Sequence, residues 1–348
     1  MTRTKALALA GGVLLGSTLA AQVLRARRAA NLTDRVALVT GGSRGLGLLI
    51  ARELGRQGVR VVLVARNQAE LDRAEQSLHA DGIEASTFAG DVSDEATAGQ
   101  MVDAVVARHG AIDILVNNAG VISVGPIEHM EVADYHEAMA VHFWGPLHLI
   151  RAAVPFMRRQ GGGRIVNISS IGGKMAVPHL APYCASKFAL VGLSNALTPE
   201  LAQDGIVVTT VCPGLMRTGS FFNAWFKGKH REEFAWFAIA DSLPLLSIDG
   251  RRAAAQVVDA LRHGDAELVI TWAAKLAVLA SAVAPNTAAR ALDVVNRLLP
   301  RPSDESGNQR RIGWQSVSEW APSRLTRLSE EAAVRNNEIP TAGALPVS

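Results

Sequence analysis

The sequence predicts an α/β protein built on a doubly wound parallel sheet in three α/β/α layers. Three observations carry this. Short Val- and Ile-rich runs recur along the chain, they are nearly continuous in hydrophobicity, and longer amphipathic stretches separate them. A strand covered on both faces must read as an unbroken apolar run, and strand–helix alternation without a strand-rich block is the pattern of a parallel sheet. The 348 residues suffice for one large domain. With 49% hydrophobic and 19% charged residues the chain is not a disordered one.

In chain order, residues 6–24 come first: nineteen residues without a charge. As a helix they reach about 28 Å, just enough for a bilayer core. A cleaved signal peptide would want a shorter core and a cleaner cleavage site than Thr18-Leu19-Ala20, and a buried helix is not needed by the fold that follows. An uncleaved membrane anchor fits best, and Arg25, Arg27 and Arg28 behind it favour leaving the following domain in the cytoplasm. Residues 1–31 are therefore expected to be anchor and basic stop, 32–300 the catalytic domain, and 301–348 a polar tail with one weak helix near 323–336. Within the domain, strands are expected at 36–40, 59–65, 85–89, 112–117, 163–168 and 206–212. Helices are expected at 46–57, 68–80, 95–109, 132–159 and 182–203.

Charge and cysteine usage exclude other classes. The net charge is +3, but five basic residues (Arg3, Lys5, Arg25, Arg27, Arg28) precede the first acid, Asp34, which leaves −2 for the remainder. A mildly acidic body argues against a nucleic-acid partner. Two cysteines, Cys184 and Cys212, exclude a disulfide scaffold and a Cys-rich metal site, so no metal is expected. Without an activating partner in the sequence, both read as buried small residues.

The first strand runs into Gly41-Gly42-Ser43-Arg44-Gly45-Leu46-Gly47, and a helical pattern follows. Glycines permit positive φ and close backbone approach, and the helix N-terminus offers free N–H groups to a phosphate. The spacing, Thr-Gly-x-x-x-Gly-x-Gly, occurs here with Asn117-Asn118-Ala119-Gly120 and Tyr183-Cys184-Ala185-Ser186-Lys187. In that order the three motifs resemble the short-chain dehydrogenase/reductase family, in its single-domain branch with an N-terminal membrane segment. The resemblance covers about residues 32–270. It implies a Rossmann-type sheet, here with a helical C-terminal extension, a nicotinamide cofactor and a homo-oligomer, dimer or tetramer.

The choice of cofactor has a physical argument. An acid closing the second strand would take the ribose 2′-hydroxyl of NAD. That strand ends Val64-Ala65-Arg66, with Ala65 where the acid would stand. Arg66 and Arg44 could instead clamp a 2′-phosphate, which points to NADP(H). By resemblance, Asp91 and Val92 flank the adenine, Asn118, Ala119 and Gly120 lie along the cofactor, and Pro213, Gly214, Met216 and Thr218 hold the carboxamide end.

Tyr183 and Lys187 are four apart on one helical face. A tyrosine of ordinary pKa, about 10, is a poor acid–base at neutral pH, and an ammonium nearby, with the positive nicotinamide of the oxidised state, favours its phenolate. Tyr183 is thus the expected proton donor and acceptor, with Lys187 lowering its pKa and, by resemblance, binding the nicotinamide ribose. Ser170, thirteen residues earlier, is the family's usual place for the serine that polarises the substrate oxygen; Ser169 is the weaker candidate. Many family members carry an asparagine that anchors a proton-relay water. Aligned through Gly145 and Pro155, that position is His142, which could hold a water and carry a proton itself; the other reading is a packing histidine.

Seven of the seventeen aromatic residues fall between 221 and 237. Following the Pro213-Gly214 motif, they read as an apolar lid over a lipophilic substrate, with core packing or membrane contact as alternatives. Residues 272–284 form an oily helix too short to span, a second surface contact or a subunit interface. The expected reaction is interconversion of a lipophilic alcohol and its ketone or aldehyde. The alternatives are reduction of a carrier- or CoA-linked 3-oxoacyl group, or a non-catalytic NADP(H) sensor at the membrane.

Overall fold

The computed structural model describes residues 25–339. The expected anchor, 6–24, lies outside the described residues. Among those described, no helix is long and apolar enough to cross a membrane.

Seven parallel strands form one sheet: β1 (Val36–Thr40), β2 (Arg60–Ala65), β3 (Ala85–Ala89), β4 (Ile114–Asn117), β5 (Gly163–Ile168), β6 (Ile206–Pro213) and β7 (Glu267–Ile270). Their order is β3-β2-β1-β4-β5-β6-β7. Six match the expected runs; β7, a four-residue edge strand, was not foreseen. The continuous hydrophobicity has its reason in the pleat. Val36 and Leu38 of β1 feed the core on one face, Ala37 and Val39 the core on the other. Helices α1 (Gly45–Arg56), α2 (Gln68–Ala80) and α8 (Gly250–His263) lie on the Ala37 face; α3 (Glu95–His109) and α5 (Gly145–Arg159) cover the opposite one. Local chemistry sets the helix starts: the side chains of Asn67, Asp94 and Asp249 accept the free N–H groups of α2, α3 and α8.

The stretch expected as one helix over 132–159 is interrupted. Helix α4 (Val132–Met139) passes through a π turn, Ala140–Trp144, before α5 begins. Such single turns of wider winding are rare and often stand beside functional sites. Here α4 packs on α6 (Ala181–Ala202), whereas α5 packs on α3.

The aromatic segment departs from expectation. Phe221, Phe222, Phe226 and Phe234, the last on α7 (His230–Ser242), are at most 1% exposed and form a third core. The chain after residue 300 closes that core. Trp314 stacks on Phe222 with ring centres 4.8 Å apart, and Val317, Ala321, Ala333 and Ile339 pack beside it. Arg311–Ile312 pairs with Trp225–Phe226, which pairs with Ser123–Val124, in a small three-stranded sheet. Two further ties fix the start of the expected polar tail: the Ser303 N–H donates to His129 Nε2 (3.0 Å), and the Gly228 N–H to the Gly307 carbonyl (2.8 Å). The apolar side chains are therefore core rather than an open lid. The weak helix expected near 323–336 is α11 (Arg327–Arg335).

Two other features frame the domain. Arg25, expected as part of a basic stop, is bound to Asp259 (2.6 Å) and Asp265 (2.7 Å). Helices α9 (Trp272–Val283) and α10 (Pro285–Asn296) bury only Ala274 between them and leave Trp272, Leu276, Leu279 and Val283 exposed.

Candidate active site

Strand order reverses between β1 and β4, and a crevice opens at the carboxyl ends of strands at such a point. A cleft of about 530 Å³ lies there. It is lined by Gly41, Ser43, Arg44, Gly45 and Leu46 of the first turn, by Arg66, Asp91 and Val92, and by Asn118, Ala119 and Gly120. Ser170, Tyr183, Lys187 and His142 line it too, as do Pro213, Gly214, Met216 and Thr218. Gly47 alone of the expected cofactor residues does not. A Cβ there would stand 2.1 Å from the Gly41 carbonyl oxygen, so its part is to let α1 close on the loop.

Gly41 and Gly45 have φ of +61° and +56°, the left-handed region that glycine enters without cost. Thr40 and Asn118 hold the turn in place. The Thr40 hydroxyl accepts the N–H groups of Asn118 (2.9 Å) and Ala119 (3.0 Å), and the Asn118 amide donates to the carbonyls of Thr40 (3.0 Å) and Gly41 (3.2 Å). The asparagine motif thus welds β4 to the glycine-rich turn.

Where the expected 2′-phosphate clamp stands, Arg44 and Arg66 both face acids. Arg44 Nη1 lies 2.9 Å from both carboxylate oxygens of Glu70, and its Nε lies 3.3 Å from Glu338. Arg66 is largely exposed, 4.0 Å from Asp91. Glu70 and Glu338 went unnoticed in the sequence, where one reads as a first-turn helix charge and the other as part of a polar tail.

Ser169 and Ser170 separate by their bonds. The Ser169 hydroxyl is buried and donates to the Lys187 carbonyl (3.0 Å). The Ser170 hydroxyl accepts the Gly172 N–H (3.0 Å), which leaves its own proton to donate into the cleft. Lys187 Nζ donates to the Ile168 carbonyl (2.9 Å) and lies 5.6 Å from the centre of the Tyr183 ring. Burial pushes Lys187 down to about 7. Burial also pushes Tyr183 up to about 12, against an opposing hydrogen bond from Ser170. Burial, not Lys187, governs this shift; the expected lowering by Lys187 acts together with a positive nicotinamide.

Both ring nitrogens of His142 are used. Its Nε2 accepts the Val121 N–H (3.1 Å), so Nδ1 carries the proton and donates to Ser186 Oγ (2.8 Å). Ser186 in turn donates to the Tyr183 carbonyl (2.8 Å), and the imidazole meets the Tyr183 ring edge to face at 5.4 Å. Burial and nearby Lys187 hold His142 well below the usual histidine range. Neutral and doubly bonded, it braces Tyr183 and has no nitrogen spare for a water.

Three further residues of titratable or nucleophilic type lie outside the cleft. His179 is bonded to Glu233 (2.8 Å), at the edge of the third core. Cys184 and Cys212 are buried, with Cys212 pushed up to about 11 by burial.

Comparison with known proteins agrees with this geometry. A family model described as short chain dehydrogenase matches residues 35–225. A Streptomyces coelicolor protein whose name assigns it to ketoacyl reduction is 41% identical over 53% of this chain and 72% of its own length. Gluconate 5-dehydrogenase of Gluconobacter oxydans is 36% identical over 54% of this chain and 73% of its own. A short-chain dehydrogenase from Streptomyces avermitilis superposes with a TM-score of 0.65 at 31% identity, over 76% of this chain and 97% of that one. A metagenomic short-chain oxidoreductase, solved in complex with NADP, gives 0.51 at 42% identity, over 53% of this chain and 84% of that one. With the match extending over more than half of its residues, the chain belongs to the short-chain dehydrogenase family and is an oxidoreductase of that kind.

Proposed function

We propose that the protein is an NADP(H)-dependent enzyme interconverting a lipophilic alcohol and its ketone or aldehyde. The observation that carries the reading is the placement of Ser170, Tyr183 and Lys187 in one cleft with the glycine-rich turn. The residues fit a dinucleotide: the glycine turn and the start of α1 offer backbone N–H groups to phosphates, Ala65 removes the acid NAD would want, and Arg44 and Arg66 stand where a 2′-phosphate would lie. The NADP-bound relative supports the same choice. When bound, the nicotinamide supplies or accepts hydride.

The chain does the rest. At a pKa near 12 Tyr183 is a phenol at neutral pH, so in the reductive direction it donates its proton to the carbonyl oxygen. Ser170 donates a hydrogen bond to the same oxygen, which strengthens as charge develops there. Lys187, anchored on Ile168, places a donor toward the ribose. His142 and Ser186 hold the Tyr183 helix turn in position. Val121, Ile122, Trp225 and Ile312 give the substrate end apolar surface.

A second reading, reduction of a carrier- or CoA-linked 3-oxoacyl group, is favoured by the relative named for ketoacyl reduction. We also place the enzyme at a membrane through the uncharged run 6–24, with its domain on the cytoplasmic side, and in a homo-oligomer. Consumption of NADPH against a panel of apolar ketones, aldehydes and 3-oxoacyl thioesters, comparing wild type with Tyr183→Phe, tests the assignment. Turnover confined to wild type supports it, the panel ranking separates the two substrate classes, and equal turnover by both forms removes Tyr183 as the acid. A chain shortened by residues 1–24 should leave the membrane fraction.

A further inference from the structure

Residues 336–338, near the end of the described chain, lie on the phosphate end of the cleft. After α11 the chain turns through Asn337, at φ +58°, and three successive residues grip the glycine-rich loop. The Asn336 carbonyl accepts the Gly45 N–H (2.8 Å), and the Asn336 amide donates to the Thr218 carbonyl (3.1 Å). The Asn337 amide donates to the carbonyls of Ser43 (2.8 Å) and Glu70 (3.1 Å). The Glu338 carboxyl accepts from Asn223 (2.6 Å), faces Arg44 (3.3 Å) and is buried. A Cβ on Gly45 would stand 2.4 Å from Glu338 Oε1, so the carboxyl rests directly on that glycine.

These are the partners a phosphate wants: a free N–H at the start of a helix, the positive end of its dipole, an arginine and a glycine surface. One N–H cannot serve the Asn336 carbonyl and a phosphate oxygen in the same geometry. Two anions cannot share a buried seat without one leaving or taking up a proton.

We infer that residues 336–338 are a tethered competitor for the phosphate seat, so that docking of the tail and binding of a cofactor diphosphate exclude one another. Glu338 is the competing anion, and Asn336 and Asn337 the clips that return it. The inference rests on the cofactor reading above and adds regulation to that same site. The position of the Glu338 group on the proton scale, pushed up to about 7 by burial against the pull of Arg44 and with Glu70 adding to the rise, agrees with an anion held where it is poorly solvated. If the tail holds the seat about nine-tenths of the time, the apparent affinity for a nucleotide is lowered about tenfold.

The test is NADPH binding by the full chain, followed by energy transfer from tryptophan, for wild type, Glu338→Gln and Glu338→Ala. Both variants are expected to bind NADPH about tenfold tighter. Adenosine, which carries no phosphate, should bind all three alike within about twofold. Trypsin cleavage after the exposed Arg335 gives a second readout on the unaltered protein, and NADPH should accelerate it. Unchanged or weaker NADPH binding in both variants, or a nucleotide that slows cleavage at Arg335, overturns the inference and leaves the cofactor reading intact. Failure of every form, wild type included, to bind NADPH removes the cofactor reading and this inference with it.

Discussion

The nucleotide half of the molecule and the half built from residues 221–339 are assembled by different means. In the first, strands alternate their side chains between two cores, and most residues that line the cleft sit at strand ends and in the turns that follow, with Tyr183 and Lys187 on α6. In the second, a phenylalanine cluster is closed by a chain segment about a hundred residues further on, through one stacked tryptophan, short strand pairs and isolated polar ties. Local periodicity builds the one and distant single contacts build the other. Chemistry is therefore expected to depend on the first half, and access to the cleft on the second.

The sharpest break of that comparison is Tyr183→Phe. Removing the one hydroxyl should lower turnover by about 10³-fold while NADPH affinity stays within about twofold, because proton transfer is lost and packing is not. Steady-state rates beside a binding titration check this, and a parallel fall in affinity would mean that Tyr183 holds the cleft together.

The next largest effect lies in the second half. Lys227 and Asp134 form a buried ion pair at 2.7 Å, with side chains no more than 7% exposed. Lys227→Met should cost about 3–5 kcal/mol by stranding Asp134, and a joint Lys227→Met, Asp134→Leu change should recover much of it. Denaturant unfolding of the single and double variants measures both. Trp314→Ala follows, at about 2–3 kcal/mol for a partly buried ring lost from Phe222. It should also loosen the tail, seen as faster cleavage at Arg335.

A smaller effect is set by pH. Glu338 and Asp241 are raised from their ordinary values to about 7, so between roughly pH 4 and 7 the folded protein binds more protons than the unfolded chain. Stability contributed by these groups is present at low pH and declines as pH rises through that window. Lys187, lowered to about 7, acts oppositely above it: stability recovers from about pH 7 toward 10. Asp241→Asn should raise stability at pH 8 by an amount of the order of 1–2 kcal/mol, seen as a higher melting temperature, and change it little at pH 4.5. The smallest expected effect is Arg66→Asp. A shift of NADPH preference toward NADH of about tenfold or less is expected, since Arg66 is largely exposed and Arg44 is shared among acids; unchanged selectivity would remove Arg66 from the ribose end.

Legibility follows the same division. The glycine turn, the asparagine motif and Tyr183 with Lys187 could be read because each needs particular residue types at fixed short spacing. β7 was lost because four residues at a sheet edge leave too short an apolar run to stand out. The aromatic cluster was visible as composition, yet nothing within 221–237 indicates which way its rings face; that depends on Trp314 and Val317. Asn337 meets Ser43 across almost the whole chain, and a polar triplet behind a short helix carries no pattern that would point there. The rise of Tyr183 was not legible for a related reason: the spacing from Lys187 is sequence, but the burial that raises the phenol is not.

The π turn at Ala140–Trp144 acts as a phase shifter. A regular α-helix advances about 100° per residue, so one extra residue in a turn rotates everything beyond it by that angle relative to everything before. It is what lets one rod present its first section to α6 and its second to α3, with His142 at the changeover. Such a rod cannot tolerate loss of a single residue there as ordinary helix would: regularised, it could keep either section in register with its neighbour, but not both.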